Sequence, residues 1–151
     1  MVQTKTRLPY FDSLLTAFNA GNSEVLQAFG RHVHWGYWEN PAAADGSVID
    51  FAKAAEKMCR LVCDAAGVQD GLRILDCGCG FGGTIASLNE RFSNLQMVGL
   101  NIDERQLARA RQEVMATNGN QIEFVEGDAC QLPFEDGYFD IVLAVECIFH
   151  C

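Results

Sequence analysis

The sequence has no surplus of positive charge. Eleven Lys and Arg stand against 20 Asp and Glu, a formal net charge of −9. That balance argues against nucleic acid, which is gripped through its phosphates. No run is long and apolar enough to span a bilayer, so no membrane partner is expected. The opening MVQTKTRLPYFDS lacks the apolar centre of a secretory signal, so the expected location is cytoplasmic. Paired C-x-x-C units are absent too. The seven cysteines (Cys59, Cys63, Cys77, Cys79, Cys130, Cys147 and Cys151) are scattered among apolar neighbours. They read as reduced, small core residues, and no metal is assigned to them. There is no repeat, low-complexity tract or linker. What remains is 151 residues, 49% hydrophobic and 21% charged, which suits one globular domain.

The organising stretch is 74–84, ILDCGCGFGGT. Ile74 and Leu75 lead into Asp76, then a glycine string, then a helix-compatible run over 84–92. This reads as a buried strand, a tight turn and a helix start. Glycine lets a ligand approach bare backbone, and the helix start offers unpaired N–H groups with partial positive charge. The spacing is ambiguous. Gly78, Gly80 and Gly83 satisfy the dinucleotide pattern G-x-G-x-x-G, whereas Asp76, Gly78, Gly80 and Gly82 satisfy D-x-G-x-G-x-G. A turn without any ligand remains a third reading.

Periodicity organises the rest. Phe11, Leu14, Leu15 and Phe18 share one helical face, and Val25, Leu26 and Phe29 suggest a short helix closed by Gly30. An aromatic loop follows, HVHWGYWENP from His32, with packing and ligand-covering roles both open. Ser47 and Asp50 form a capping-box pattern for a helix reaching about Ala66, with Gly67 as its stop. Strands are expected over 72–77, 96–102, 121–126 and 138–146, with helices over 82–92 and 104–117, the latter capped by Asp103. The fourth strand is nearly all apolar and is expected to be buried on both faces. The alternation predicts an α/β fold: a Rossmann-like parallel sheet with helices on both faces over 47–151, preceded by N-terminal helices and an aromatic lid loop over 1–46. Asp76, Asn101, Asp128 and Glu146 fall at the carboxyl ends of the strands, where such sheets bind ligands.

Three blocks carry a resemblance. DCGCGFG from Asp76, VGLNIDERQLARAR over 98–111 and VEGDACQLPFEDGYFDIVLAVECIFH from Val125 stand in the order of the motifs of class I S-adenosylmethionine-dependent methyltransferases. The aromatic loop at His34 is similar to a small-molecule subgroup, which includes sugar, natural-product and tocopherol-type enzymes. The resemblance implies S-adenosyl-L-methionine as cofactor and a small-molecule acceptor, most simply a hydroxyl oxygen. It implies that Gly78, Gly80 and Gly82 line the methionine part, with Asp76 near the ammonium. Asn101, at a position where the family has an acid, would meet the ribose hydroxyls, with Gln106 nearby. Ile102 would lie on the adenine, Asp128 and Ala129 would meet its amino group, and Glu146 would complete the rim. Tyr37 or His34 would close over the cofactor, and His150 matches a histidine base. The other readings are a nucleotide-binding oxidoreductase domain using NAD and a non-catalytic interaction module.

The family fold has seven strands, ordered 3-2-1-4-5-7-6, and this chain stops after the fourth. The expectation is therefore a fragment, or a sheet completed by self-association or a partner chain at the open, uncharged edge of strand four.

Overall fold

The computed structural model describes residues 9–150, without the side chain of His150. Residues 1–8, expected to form a loose start, and Cys151 lie outside the described residues.

Two short helices, α1 (Pro9–Asn19) and α2 (Ser23–Phe29), come first. Asn22 caps α2 by accepting the Val25 N–H at 3.1 Å. After the aromatic loop and a single 3-10 turn comes the long helix α3 (Val48–Ala65), whose N-cap Ser47 accepts the Asp50 N–H. Then β1 (Arg73–Cys77), α4 (Gly83–Arg91), β2 (Gln96–Asn101), α5 (Glu104–Glu113), β3 (Gln121–Glu126) and β4 (Ile141–Leu143) alternate. All pairings are parallel and the strand order is β3-β2-β1-β4. The α/β class and the Rossmann-like parallel sheet are thus as expected.

The helix cover differs from the expectation. Side chains of α3, α4 and α5 all join one core with Ile74, Met97, Phe124 and Leu143, on one face of the sheet. Two right-handed crossovers that step in the same direction, β1 to β2 to β3, must put both helices on the same side. The chain then crosses the opposite face to reach β4. That face carries Leu75, Val98 and Leu100, and it is covered by loop residues such as Phe134 and Phe139 instead of a helix.

Two elements are shorter than their patterns. The fourth strand is only Ile141–Leu143, and Val142 is 56% exposed, so the expected burial on both faces is corrected. Beyond Leu143 the chain bends through Glu146 at φ 52°. Helix α5 stops at Glu113 because Asn89 captures the backbone that would continue it. The Asn89 amide donates to Met115 O at 2.8 Å and accepts from Thr117 N at 3.0 Å.

Since β2 and β4 flank β1 on opposite sides, the direction of winding reverses at the end of β1. The crevice such a reversal opens lies at the carboxyl ends of the strands.

Candidate active site

A cavity of about 240 Å³ occupies that crevice. Asp76, Asn101, Asp128 and Glu146, the four strand-end positions, all line it. Gly78, Gly80, Ile102, Gln106 and Ala129 line it as well, so most of the expected residues are brought together.

The floor is the glycine turn. Cys79 N–H donates to Leu100 O at 3.0 Å, which ties the turn to β2. A Cβ at Gly80 would meet nothing nearer than Gln106 Oε1 at 3.7 Å, so its open side faces free space. Gly78, at φ 69°, has the Cys147 side chain immediately above it. Gly82 is placed differently from the expectation. It is the N-cap of α4, and a Cβ there would press on Phe124 and Ala110 at 3.1–3.2 Å, on the core side. Gly83 and Thr84, at the start of α4, reach the cavity instead.

Asp76 is 2% exposed and its Oδ2 has no partner among the described residues. Burial, and secondarily Cys59, pushes its carboxyl well above the usual range. Such a group awaits a donor, since a buried acceptor without one is costly. Asn101 is held at both ends of its amide. It accepts from Ile102 N at 3.0 Å and donates to Gln106 Oε1 at 3.0 Å. Asp128 accepts from Cys130 N at 2.8 Å, so it shapes its own loop as well as the rim.

The roof is the loop 31–34 with Tyr10 and Phe11 of α1. Its anchor is Glu56, from the middle of α3. That carboxylate receives His32 Nε2 at 2.7 Å, Ser87 Oγ at 2.7 Å, Arg60 Nε at 2.9 Å and Arg31 Nε at 3.2 Å. Burial alone would push Glu56 up. The hydrogen bonds from His32, Ser87 and Arg60 with the Arg31 charge outweigh it and hold the group far below the usual range. His32 and Arg31 O pack directly on Gly83, where a Cβ would come within 2.5 Å of both. Farther along, Trp35 N–H donates to Glu146 Oε2 at 2.9 Å, joining the roof to the end of β4.

Tyr37 lies outside the cavity. It is 40% exposed, its N–H bonds Ala54 O at 2.9 Å, and the Lys57 ammonium sits over its ring. His150 closes the second 3-10 turn, Ile148–His150, and its side chain lies outside the described residues. The sequence reading missed Glu56, Tyr10, Phe11, Thr84 and Cys147. A signal for Glu56 was present: it falls three and seven residues before Cys59 and Cys63, on the buried stripe of α3. A carboxylate in an apolar stripe needs partners.

The sequence profile of the Methyltransferase domain family matches residues 74–151. This chain belongs to the class I S-adenosylmethionine-dependent methyltransferases. The dinucleotide reading of the glycine turn is thereby set aside. The methyltransferase GfsG of Streptomyces halstedii is 34% identical over 130 residues, which are 85% of this chain and 45% of that protein. The sterol 24-C-methyltransferase ERG6A of Gibberella zeae is 39% identical over 85 residues, 56% of this chain and 22% of that one. The crystal structure of the [4+2]-cyclase SpnF superposes with a TM-score of 0.64 at 26% identity, over 84% of this chain and 46% of that one. The chain thus spans less than half the length of these proteins.

The cofactor of this family is S-adenosylmethionine, and the cavity beside the glycine turn fits it on two observations. The buried Oδ2 of Asp76 has no donor among the described residues, and the cofactor carries an ammonium. The open side of Gly80 leaves room at the turn that any side chain would fill. No helix among the described residues is long and apolar enough to cross a membrane.

Proposed function

We propose that this chain is the cofactor-binding part of an enzyme that methylates a hydroxyl oxygen of a small molecule. The observation that carries the reading is the meeting of four polar strand ends around one cavity beside the glycine turn. When bound, the cofactor supplies a sulfonium methyl group, which is an electrophile without further activation.

The protein's own work is positioning and proton removal. In this reading Gly80 receives the methionine portion along bare backbone, Gly78 supplies the turn beneath Cys147, and Gly83 and Thr84 present the N-terminus of α4. Asp76 accepts from the ammonium. Asn101, steadied by Gln106, meets the ribose hydroxyls as a neutral group. Ile102 lies against the adenine, and Asp128 with Ala129 meets its amino group. Glu146 holds the roof closed through Trp35, Gly82 shapes the turn from the core side, and Tyr37 braces the roof on α3. His150, four residues beyond Glu146, takes the proton of the acceptor hydroxyl. The sterol relative is named for methylation at carbon, so a C-methylated product is the outcome that would move the acceptor atom from oxygen to carbon.

The place of β4 at the end of the sheet, paired among the described residues with β1 alone, supports pairing of its other edge with a further strand. The reduced thiols fit a cytoplasmic setting. Calorimetric titration of the purified chain with S-adenosylhomocysteine and with NADH tests the reading. Binding of the first and not the second is expected, and the reverse result refutes it.

A further inference from the structure

We propose that Arg109 is a positioning residue for cofactor binding: it ties the α1 part of the roof to the glycine turn, so that filling the turn and seating α1 support each other. The inference rests on the cofactor reading above and adds to it a residue that does not itself line the cavity.

Arg109 stands on α5. Its guanidinium lies over two rings, 5.0 Å from the centre of Phe18 and 5.4 Å from that of Phe81. The two rings are 5.4 Å apart and tilted by 49°. The three groups form one cluster, a cation shared by two π systems. Both phenyl rings are buried and the Arg109 side chain is 26% exposed, and a cation–π contact gains strength as water leaves it. Carboxylates do less for this guanidinium. Its pair with Glu113 is loose, at 3.8 Å, and its Nε is buried with no hydrogen-bond partner among the described residues.

The two rings belong to opposite sides of the cavity. Phe81 is part of the floor, between Gly80 at φ 55° and Gly82 at φ 80°. Gly82, the N-cap of α4, makes no side-chain bond, so the Phe81 ring is what anchors this stretch of backbone. Phe18 is in the last turn of α1. Phe11, seven residues earlier on the same helical face, lines the cavity together with Tyr10. A second tie joins α1 to α5, the pair Asp12–Arg105 at 2.9 Å. Its side chains are 35% and 56% exposed, so it contributes little. Of the two ties, the one through Arg109 is the stronger.

A ligand lying on Gly80 fixes the backbone next to Phe81 and so steadies its ring. Arg109 passes that placement to Phe18, and Tyr10 and Phe11 settle over the occupied cavity. Behind α1, Gly21 at φ 72° has nothing within 4 Å of where its Cβ would stand, which leaves the helix room to swing. Release of the ligand then requires α1 to lift, and the Arg109 contact sets how long the ligand stays.

The test follows S-adenosylhomocysteine on the purified chain by stopped-flow kinetics and amide hydrogen exchange, in the parent, Arg109→Met, Arg109→Lys and Arg105→Ala. In the parent, binding is expected to slow exchange in α1 as well as in the turn. Met keeps an apolar stem and removes the cation. In Arg109→Met, dissociation should be about tenfold faster, with association changed by less than about twofold. Protection of α1 should be lost and that of residues 78–84 kept. Arg109→Lys, a point charge without the planar fork, should fall between Met and the parent. Arg105→Ala should stay within about twofold of the parent. Unchanged dissociation in Arg109→Met overturns the proposal. So does weakening carried by slower association, loss of protection in the turn and α1 alike, a Lys variant that releases as fast as Met, or equal acceleration in Arg105→Ala. Should Arg109→Met fail to melt cooperatively, the parent decides: a ligand that protects the turn and leaves α1 exchange unchanged overturns the proposal. A parent that binds no S-adenosylhomocysteine refutes the cofactor reading, and the proposal falls with it.

Discussion

Replacing Glu56 with Ala should uncouple the roof of the cavity from the body of the protein. The magnitude follows from the four groups on its carboxylate. Two are buried, the His32 ring and the Ser87 hydroxyl. Stranding a buried donor costs about 1–3 kcal/mol. The other two, Arg31 and Arg60, have side chains 41% and 50% exposed and regain water. Such pairs are worth about 0.2–1 kcal/mol each. The total is about 2–8 kcal/mol, which for a chain of this size corresponds to a fall in Tm of roughly 5–30 °C. Ser87→Ala, which removes one donor and leaves the carboxylate its other partners, should cost only about 1 kcal/mol. The pH dependence has a definite sign. The folded-state pKa of Glu56 is depressed, so its stabilisation is complete above the usual carboxylate range and is lost as pH falls below it. Glu56→Gln should flatten that acid limb. Thermal melts followed by circular dichroism between about pH 3 and pH 7 would measure both effects. A fall of less than 2 °C in Glu56→Ala, about what a single exposed pair accounts for, would refute the anchoring argument.

Other expectations concern the floor of the cavity. Asp76→Asn should weaken S-adenosylhomocysteine binding at least tenfold, because the amide has one acceptor and turns donors toward an ammonium. The same change should remove a loss of apo stability at rising pH: the folded pKa of Asp76 is raised, so ionising it costs stability once pH passes the usual carboxylate range. Titration and pH-dependent melts check both, and an unchanged Kd would count against the ammonium assignment. Gly80→Ala should cost about 1 kcal/mol of stability from its φ of 55°. It should abolish detectable cofactor binding, since the new methyl group enters the free space at the turn. A Gly80→Ala protein that binds S-adenosylhomocysteine normally would show that the ligand does not approach this backbone.

The strands were readable because each apolar run ends in a polar residue, their order came from the family resemblance, and Asp76, Asn101, Asp128 and Glu146 do line one cavity. The glycine register was not readable. Gly82 and Gly83 are adjacent, and only packing decides which meets the core and which the cavity. Gly82 faces Phe124, a residue 42 positions downstream that no local pattern links to it. Strand four misled because an apolar run predicts burial, while the loops over that face leave Val142 open. The roof was half legible. Its aromatics announced a special loop, but its attachment runs through Glu56, whose partners come from three separate segments. Tyr37 drew notice as an aromatic and turned out to brace α3, because its N–H is taken by Ala54 O.

The bond between Trp35 and Glu146 joins residues 111 positions apart. Closing so long a loop costs entropy that contacts inside the sheet must already have repaid. The clasp is therefore among the last contacts to form when the chain folds and among the first to open when the native state breathes. A molecule seated beneath it draws on the same equilibrium, so part of what it gains on binding goes into finishing the fold.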